Sequence, residues 1–241
     1  MTAQLKDDWT GLHGHRVGCL SRLFAEHLQL KEGVVEQLEV AGRLHDIGKM
    51  AIPDQVLRSG SALSAAEREL LNAHARIGGD LLAQSAIPEL QCAEVVARHH
   101  HERWDGEGYP SKMKGKRIPV ECRIIAIVDC FDAMTHGRPQ VRPVSASVAL
   151  GEIQVQKGKQ FDPELADGFV GFMQQLIADH PDVSSYLEQS ARKSPLTDAM
   201  RELGDLLAAV SEEGRDRPAA AHLPPPPRRG GAPSTRSPEP L

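Results

Sequence analysis

Val34-Val35-Glu36-Gln37-Leu38-Glu39-Val40-Ala41-Gly42-Arg43-Leu44-His45-Asp46 carries apolar residues at Val34, Val35, Leu38, Ala41 and Leu44. Spacings of three and four are the period of a helix with one buried face. Gly48 and Pro53 follow and stop it, which places the His45-Asp46 dyad on the last helical turn. An imidazole beside a carboxylate at the end of an apolar face can hold a divalent metal through one nitrogen and one oxygen. The same segment thus bears on both fold and chemistry.

Upstream, Val17, Leu20, Leu23, Phe24 and Leu28 recur at helical spacing, and Gly33 is expected to separate that helix from the next. Downstream, Ser64-Ala65-Ala66-Glu67 fits a capping box and starts a third predicted helix. On it Leu70, Leu71, Ile77, Gly78 and Leu81 are expected to share a face with His74. A fourth helix is predicted from Pro88 to His101 and a fifth from Glu121 to Met134, joined by a loop rich in Gly and Pro. Val120, Ile124, Ile125, Ile127 and Val128 would also suit a strand, but the helical register continues through Ala133. Two more helices are expected after Ser145 and after Asp162-Pro163.

These elements predict one all-α domain over residues 1–192. A separate C-terminal helix is expected over 193–213, with Leu196, Met200, Leu203, Leu206 and Val210 in register. It either packs back on the domain or forms a homodimer contact. Residues 214–241 include Pro224 through Pro227 followed by Arg228-Arg229, a composition that cannot bury enough to offset its ordering entropy. A disordered tail is the expectation there.

The chain of 241 residues is 40% hydrophobic and 25% charged, which is ordinary for a globular protein. Its net charge of −5 offers no basic surplus to neutralise a nucleic-acid polymer. Cys19, Cys92, Cys122 and Cys130 lie far apart with no Cys-x-x-Cys pair, and Cys19 and Cys92, in apolar helix-like runs, are expected to be reduced core thiols. No stretch has the apolar length of a membrane span and the N-terminus has no apolar signal core, which makes the cytoplasm the expected location.

Ligand-type side chains accumulate on these helices. His13 starts the first, His45 and Asp46 end the second, His74 lies on the third, His100 and His101 end the fourth, and Asp129 sits on the fifth. Asp129 follows Ile124, Ile125, Ile127 and Val128, and a carboxylate in such a run is costly to bury unless paired or coordinated. Mixed imidazole and carboxylate ligands suit iron, manganese, nickel or zinc rather than a thiolate site. Two such ions bridged by Asp46 would activate water and clamp a phosphoryl oxygen, as phosphate-ester hydrolysis requires.

His13-x-x-Arg16-Val17, His45-Asp46-Ile47-Gly48-Lys49, His74, His100-His101-Glu102, Gly108-Tyr109-Pro110, Asp129 and Arg138-Pro139 together resemble the HD-GYP domain, an all-helical branch of the HD superfamily. The similarity runs over roughly residues 7–180 and ends with Phe161-Asp162-Pro163. It implies a helical bundle with a two-metal site that hydrolyses cyclic di-GMP to pGpG or GMP, with a metal-bridging hydroxide as nucleophile. The metals implied are two divalent ions, iron or manganese first, nickel or zinc as alternatives. By this resemblance Asp46 bridges, His13, His45 and Asp129 lie nearer one metal, and His74, His100 and His101 nearer the other.

The same resemblance assigns Lys49 to the scissile phosphate; its alternative is an ordinary lysine at a helix C-terminus. Gly108 and Tyr109 would meet the nucleotide, with Gly106 helping the backbone approach it, and Arg138 would meet the second phosphate or else lie on the surface. Glu102 and Asp105 either orient the His pair or cap the turn. His15, His27, His99, His136, His180 and His222 are read as bystanders. The chain departs from the family at Gln140-Val141, where an aromatic residue and a cation are usual, and at Trp9, where three-metal relatives carry Glu. Two metals are therefore expected. Other cyclic dinucleotides or nucleotides, and a cyclic di-GMP-binding adaptor role, are the alternatives. Regulation is expected from a diguanylate cyclase, receiver or adaptor protein, from the tail, or from sequence upstream.

Overall fold

Ile124, Ile125, Ile127 and Val128 are fully buried in a helix spanning Val120–His136. A helix covered on several sides loses its alternation of apolar and polar residues, which is why this run can also be read as a strand. The computed structural model describes residues 12–57, 59, 62–137 and 142–192. Among these the helices are α1 (His13–His27), α2 (Glu32–Leu44), the single turn α3 (Asp54–Leu57), α4 (Ala65–Leu82), α5 (Pro88–His99), α6 (Val120–His136), α7 (Ala146–Val155), α8 (Pro163–Asp179) and α9 (Val183–Arg192). Short 3-10 helices cover Ile47–Ala51 and Gly115–Arg117, and no strand is present among the described residues. The expected all-α fold holds.

Helix α1 packs on α2, α6, α8 and α9; α2 on α5; and α5 on both α4 and α6. Phe24 of α1 meets Phe169 edge-on at 5.2 Å and Phe172 at 5.5 Å, and Phe131 of α6 joins at 5.6 Å from Phe169. This aromatic centre anchors α1 and α6, the helices that bring His13 and Asp129 toward one another.

The Ser64 capping box forms, with the hydroxyl accepting from Glu67 N and the Glu67 carboxylate accepting from Ser64 N. Helices begin after Ser145 and at Pro163, where the Asp162 carboxylate caps α8 through Glu164 N.

Three boundaries differ from expectation. Gly33 lies inside the first turn of α2, and the break falls at Leu28–Lys31, where Gln29 takes φ +56° and terminates α1. Helix α2 ends at Leu44, so the His45-Asp46 dyad stands just past it and leads into the Ile47–Ala51 turn. Helix α5 ends at His99, leaving His100 at its cap and His101 in the following turn.

The buried face of α4 also differs. His74, Ala75, Gly78 and Gly79 are buried, whereas Leu70 and Leu81 are 41% and 59% exposed. The reason is a close backbone approach. A Cβ on Gly48 would overlap the His74 carbonyl oxygen, so the turn carrying the dyad lies directly on α4. Small residues permit that contact, and the larger apolar ones are displaced to its rim.

Trp9, Arg138, Pro139, Gln140 and Val141, the expected helix over 193–213 and the tail over 214–241 lie outside the described residues. No described helix is long and apolar enough to cross a membrane. The four cysteines are free thiols.

Candidate metal centre

His13, His45 and Asp129 converge so that one donor atom from each lies within 4.8 Å of the others. Asp46, His74, His100 and His101 form a second such group. In the first, His13 Nε2 is 3.2 Å and His45 Nε2 3.7 Å from Asp129 Oδ1. Asp46 faces both groups. Its Oδ2 is 3.1 Å from His45 Nε2 and 4.0 Å from His13 Nε2, while its Oδ1 is 3.2 Å from His74 Nε2 and 3.6 Å from His100 Nε2. His101 Nε2 is 3.2 Å from His74 Nε2.

The rings are aimed by their other nitrogens. His45 Nδ1 donates to Gly42 O at 2.7 Å, His74 Nδ1 to Leu71 O at 2.6 Å, and His100 Nδ1 to Val96 O at 3.0 Å. An N–H committed to a carbonyl fixes the tautomer that leaves Nε2 as a ligand. His13 Nδ1 instead pairs with Asp132 Oδ2 at 2.7 Å.

Burial and neighbouring charge oppose each other here. Burial lowers the pKa of His13, but Asp129 and Asp132 overcome it and hold the group up at about 10. His45 is likewise raised against its burial by Asp46 and Asp129. Burial opposes ionisation of Asp46, yet His45 and Lys49 keep its carboxyl well below the usual range. Burial keeps His101 well below an ordinary histidine, helped by His100 and His74.

The site's own geometry is a test of whether cations fit. His45 Nε2, His100 Nε2 and Asp46 Oδ1 are shielded from solvent without a well-directed hydrogen bond. Leaving such atoms unsatisfied costs about 1–3 kcal/mol each. Cations seated between the two groups would satisfy all three, and the nitrogen and oxygen donors match first-row divalent ions.

Lys49 Nζ is 2.7 Å from Asp46 Oδ2 and is buried. The Tyr109 ring lies 4.8 Å from that of His101. Gly108 packs on the chain itself, since a Cβ there would overlap the backbone of Glu102 and Arg103. The buried Glu102 carboxylate accepts from Ser111 N at 2.7 Å and Met113 N at 2.9 Å, so it braces the loop after Tyr109. Asp105 pairs with Arg103 at 2.7 Å and accepts from Glu107 N. Neither acid is bonded to His100 or His101. Arg138 falls outside the described residues.

Sequence reasoning overlooks Asp132. Besides His13 it takes Arg16 through a two-pronged contact, Nε at 2.7 Å and Nη2 at 2.9 Å, and lies 3.1 Å from Nδ1 of His136, a residue read above as a bystander. One signal is present in the sequence: Asp132 follows Asp129 by one helical turn on a strongly apolar helix. His15, another supposed bystander, bonds Arg43 at 2.8 Å, and Arg43 bonds the buried Glu39.

Among curated proteins, a cyclic di-GMP phosphodiesterase of Thermotoga maritima is 39% identical over 170 residues, covering 70% of this chain and 46% of that protein. The 3'3'-cGAMP-specific phosphodiesterase 2 of Vibrio cholerae is 36% identical over 169 residues, covering 70% and 32%. The chain spans less than half the length of either. The solved structure of a cyclic GMP-AMP specific phosphodiesterase of V. cholerae matches with TM-score 0.56 at 23% identity, covering 93% of this chain and 54% of that one, which speaks to the fold. The HD domain family profile matches residues 1–165. With His45-Asp46 placed between the two ligand groups and the HD-GYP motif order around it, the chain belongs to the HD domain family.

Proposed function

We propose that this domain is a metal-dependent phosphodiesterase that hydrolyses cyclic di-GMP to pGpG, GMP or both. The observation that carries the reading is the Asp46 carboxylate, whose two oxygens face two separate ligand groups at 3.1 and 3.2 Å. His13, His45 and Asp129 would hold one ion, His74, His100 and His101 the other, and Asp46 would serve both. The mixed imidazole and carboxylate donors suit first-row divalent ions, and Fe(II) or Mn(II) are the ones that the resemblance to the HD-GYP domain puts first. Bound there, the ions supply Lewis acidity toward water and a phosphoryl oxygen.

The chain's own residues do the rest. Lys49, held at Asp46, places a buried positive charge where phosphoryl charge develops. Tyr109, seated against His101 and braced from behind by Glu102, offers an aromatic face to a base beside the reacting phosphate. Beyond Tyr109 and Pro110 a cavity of about 830 Å³ opens along α4, lined by Arg68, Asn72, Ala73 and Arg76. That volume suits the rest of a dinucleotide.

The deciding experiment loads the metal-free protein with Fe(II) or Mn(II) without oxygen, adds cyclic di-GMP, and separates products by chromatography. Two bound ions with no turnover would reject the reading. The 36% identity to a cGAMP-specific enzyme supports a second substrate, 3'3'-cGAMP, and the same assay with both dinucleotides ranks them.

A further inference from the structure

The clustered histidines are not all held in the same way. Nδ1 of His45, His74 and His100 each donates to a carbonyl three or four residues earlier. His13 opens α1, so no earlier turn of its own helix stands behind it. Its partner is instead a carboxylate from α6, Asp132, at 2.7 Å. Asp132 is 1% exposed and is itself clamped by the Arg16 guanidinium at 2.7 and 2.9 Å. His101 lies at the other extreme. Among the described residues no acceptor takes its Nδ1, and the rings of His100 at 4.0 Å and Tyr109 at 4.8 Å steady it.

These differences act in one direction. A carboxylate behind an imidazole holds the ring and strengthens its donor nitrogen more than a carbonyl does. Charge is distributed to match. The His13 group contains Asp129 in addition to the shared Asp46, with Asp132 behind it offset by Arg16, whereas the His101 group contains only Asp46. A divalent cation therefore meets more negative charge and a more rigid donor set on the His13 side.

We infer that the two metal positions are unequal: Asp132, clamped by Arg16, is a positioning residue that makes the His13–His45–Asp129 position the tighter one and the first to fill. The inference rests on the two-metal reading above. It makes the His101 side the exchangeable position, next to Tyr109 and the cavity.

The test titrates the metal-free full chain with Mn(II), followed by calorimetry and by the electron paramagnetic resonance of free and bound Mn(II). Two steps are expected for the unaltered protein. Asp132→Asn should weaken the tighter step about 10–100-fold and leave the weaker one in place. His101→Ala should do the reverse. Should Asp132→Asn fail to fold by circular dichroism, Arg16→Lys, which keeps the charge and loses the two-pronged contact, should weaken the same step by a smaller factor. An unaltered protein with two equal steps, or a variant that weakens both steps alike, overturns the inference while the two-metal reading stands. An unaltered protein that binds no Mn(II) overturns both.

Discussion

Asp46 Oδ1 lies 3.2 Å from His74 Nε2 while the other oxygen of the same carboxylate lies 3.1 Å from His45 Nε2. One side chain therefore reaches α4 on one side and the end of α2 on the other. Asp46→Asn keeps the size and replaces one oxygen with an N–H donor that cannot serve a cation. Turnover of cyclic di-GMP should fall at least about a thousand-fold, the scale on which loss of a preorganised electrostatic partner is felt. Bound metal, measured by mass spectrometry after dialysis, should fall below two per chain. Full activity in this variant would remove Asp46 from the centre of the reaction.

Lys49 is buried against Asp46 at 2.7 Å. Were it only a helix-end lysine, its loss would touch stability and little else. If it stabilises charge on the phosphoryl group, Lys49→Met should lower kcat by about 100-fold with both metals retained. A normal kcat with a lowered melting temperature would return Lys49 to a structural role.

Most helices are legible in the sequence because they have one apolar face, and the candidate ligands because they fall on those helices or just past their ends. Two other features are hidden for physical reasons. The approach of the dyad turn to α4 depends on Gly48 and Gly78, and a glycine contact leaves no apolar period. The His13–Asp132 bond joins residues 119 positions apart, so neither end announces the other. Glu102 shows a third limit. Beside two candidate ligands it reads equally as their partner or as a turn cap, and its carboxylate's role as acceptor for Ser111 N and Met113 N depends on how the loop returns.

Arg68 lines the cavity beyond Tyr109, and among the described residues its guanidinium has no partner. A dinucleotide would reach it, whereas bis(p-nitrophenyl) phosphate would not extend past the metals. Arg68→Ala should raise KM for cyclic di-GMP by about tenfold, the loss of one charge-assisted contact of about 1.5 kcal/mol. Hydrolysis of the small diester should be unchanged. An equal effect on both substrates would show that the cavity holds no part of the dinucleotide.

Burial pushes the Cys19 thiol up to about 11 and, with Glu121 nearby, the Cys92 thiol up to about 12. In the unfolded chain both ionise near 9. Between those values the native state binds more protons than the unfolded state, so this contribution is complete below pH 9 and declines as pH rises toward 11 or 12. Urea melts should show a fall in stability between pH 8.5 and pH 10.5 that is smaller in the Cys19→Ala, Cys92→Ala double variant. Iodoacetamide at pH 8.5 should label native protein far more slowly than unfolded protein. Equal labelling rates would contradict the shielding.

Gly48 and Gly33 make an internal contrast. A Cβ on Gly48 would overlap the His74 carbonyl oxygen and crowd Gly78 N, both backbone atoms that cannot swing aside. Gly33 is in the first turn of α2, and a Cβ there meets nothing within 4 Å. Gly48→Ala must push the dyad turn off α4, which costs about 1–3 kcal/mol or more and separates Asp46 from His74. Gly33→Ala removes only freedom from the unfolded chain and should stabilise by about 0.4–1 kcal/mol. Thermal melts should therefore move in opposite directions. Of these two variants only Gly48→Ala should also lose metal from the Asp46–His74–His100–His101 group, because Gly48 lies in the contact between the dyad and α4 and Gly33 does not. If Gly48→Ala keeps both its melting temperature and its metal, the dyad turn does not depend on that backbone contact.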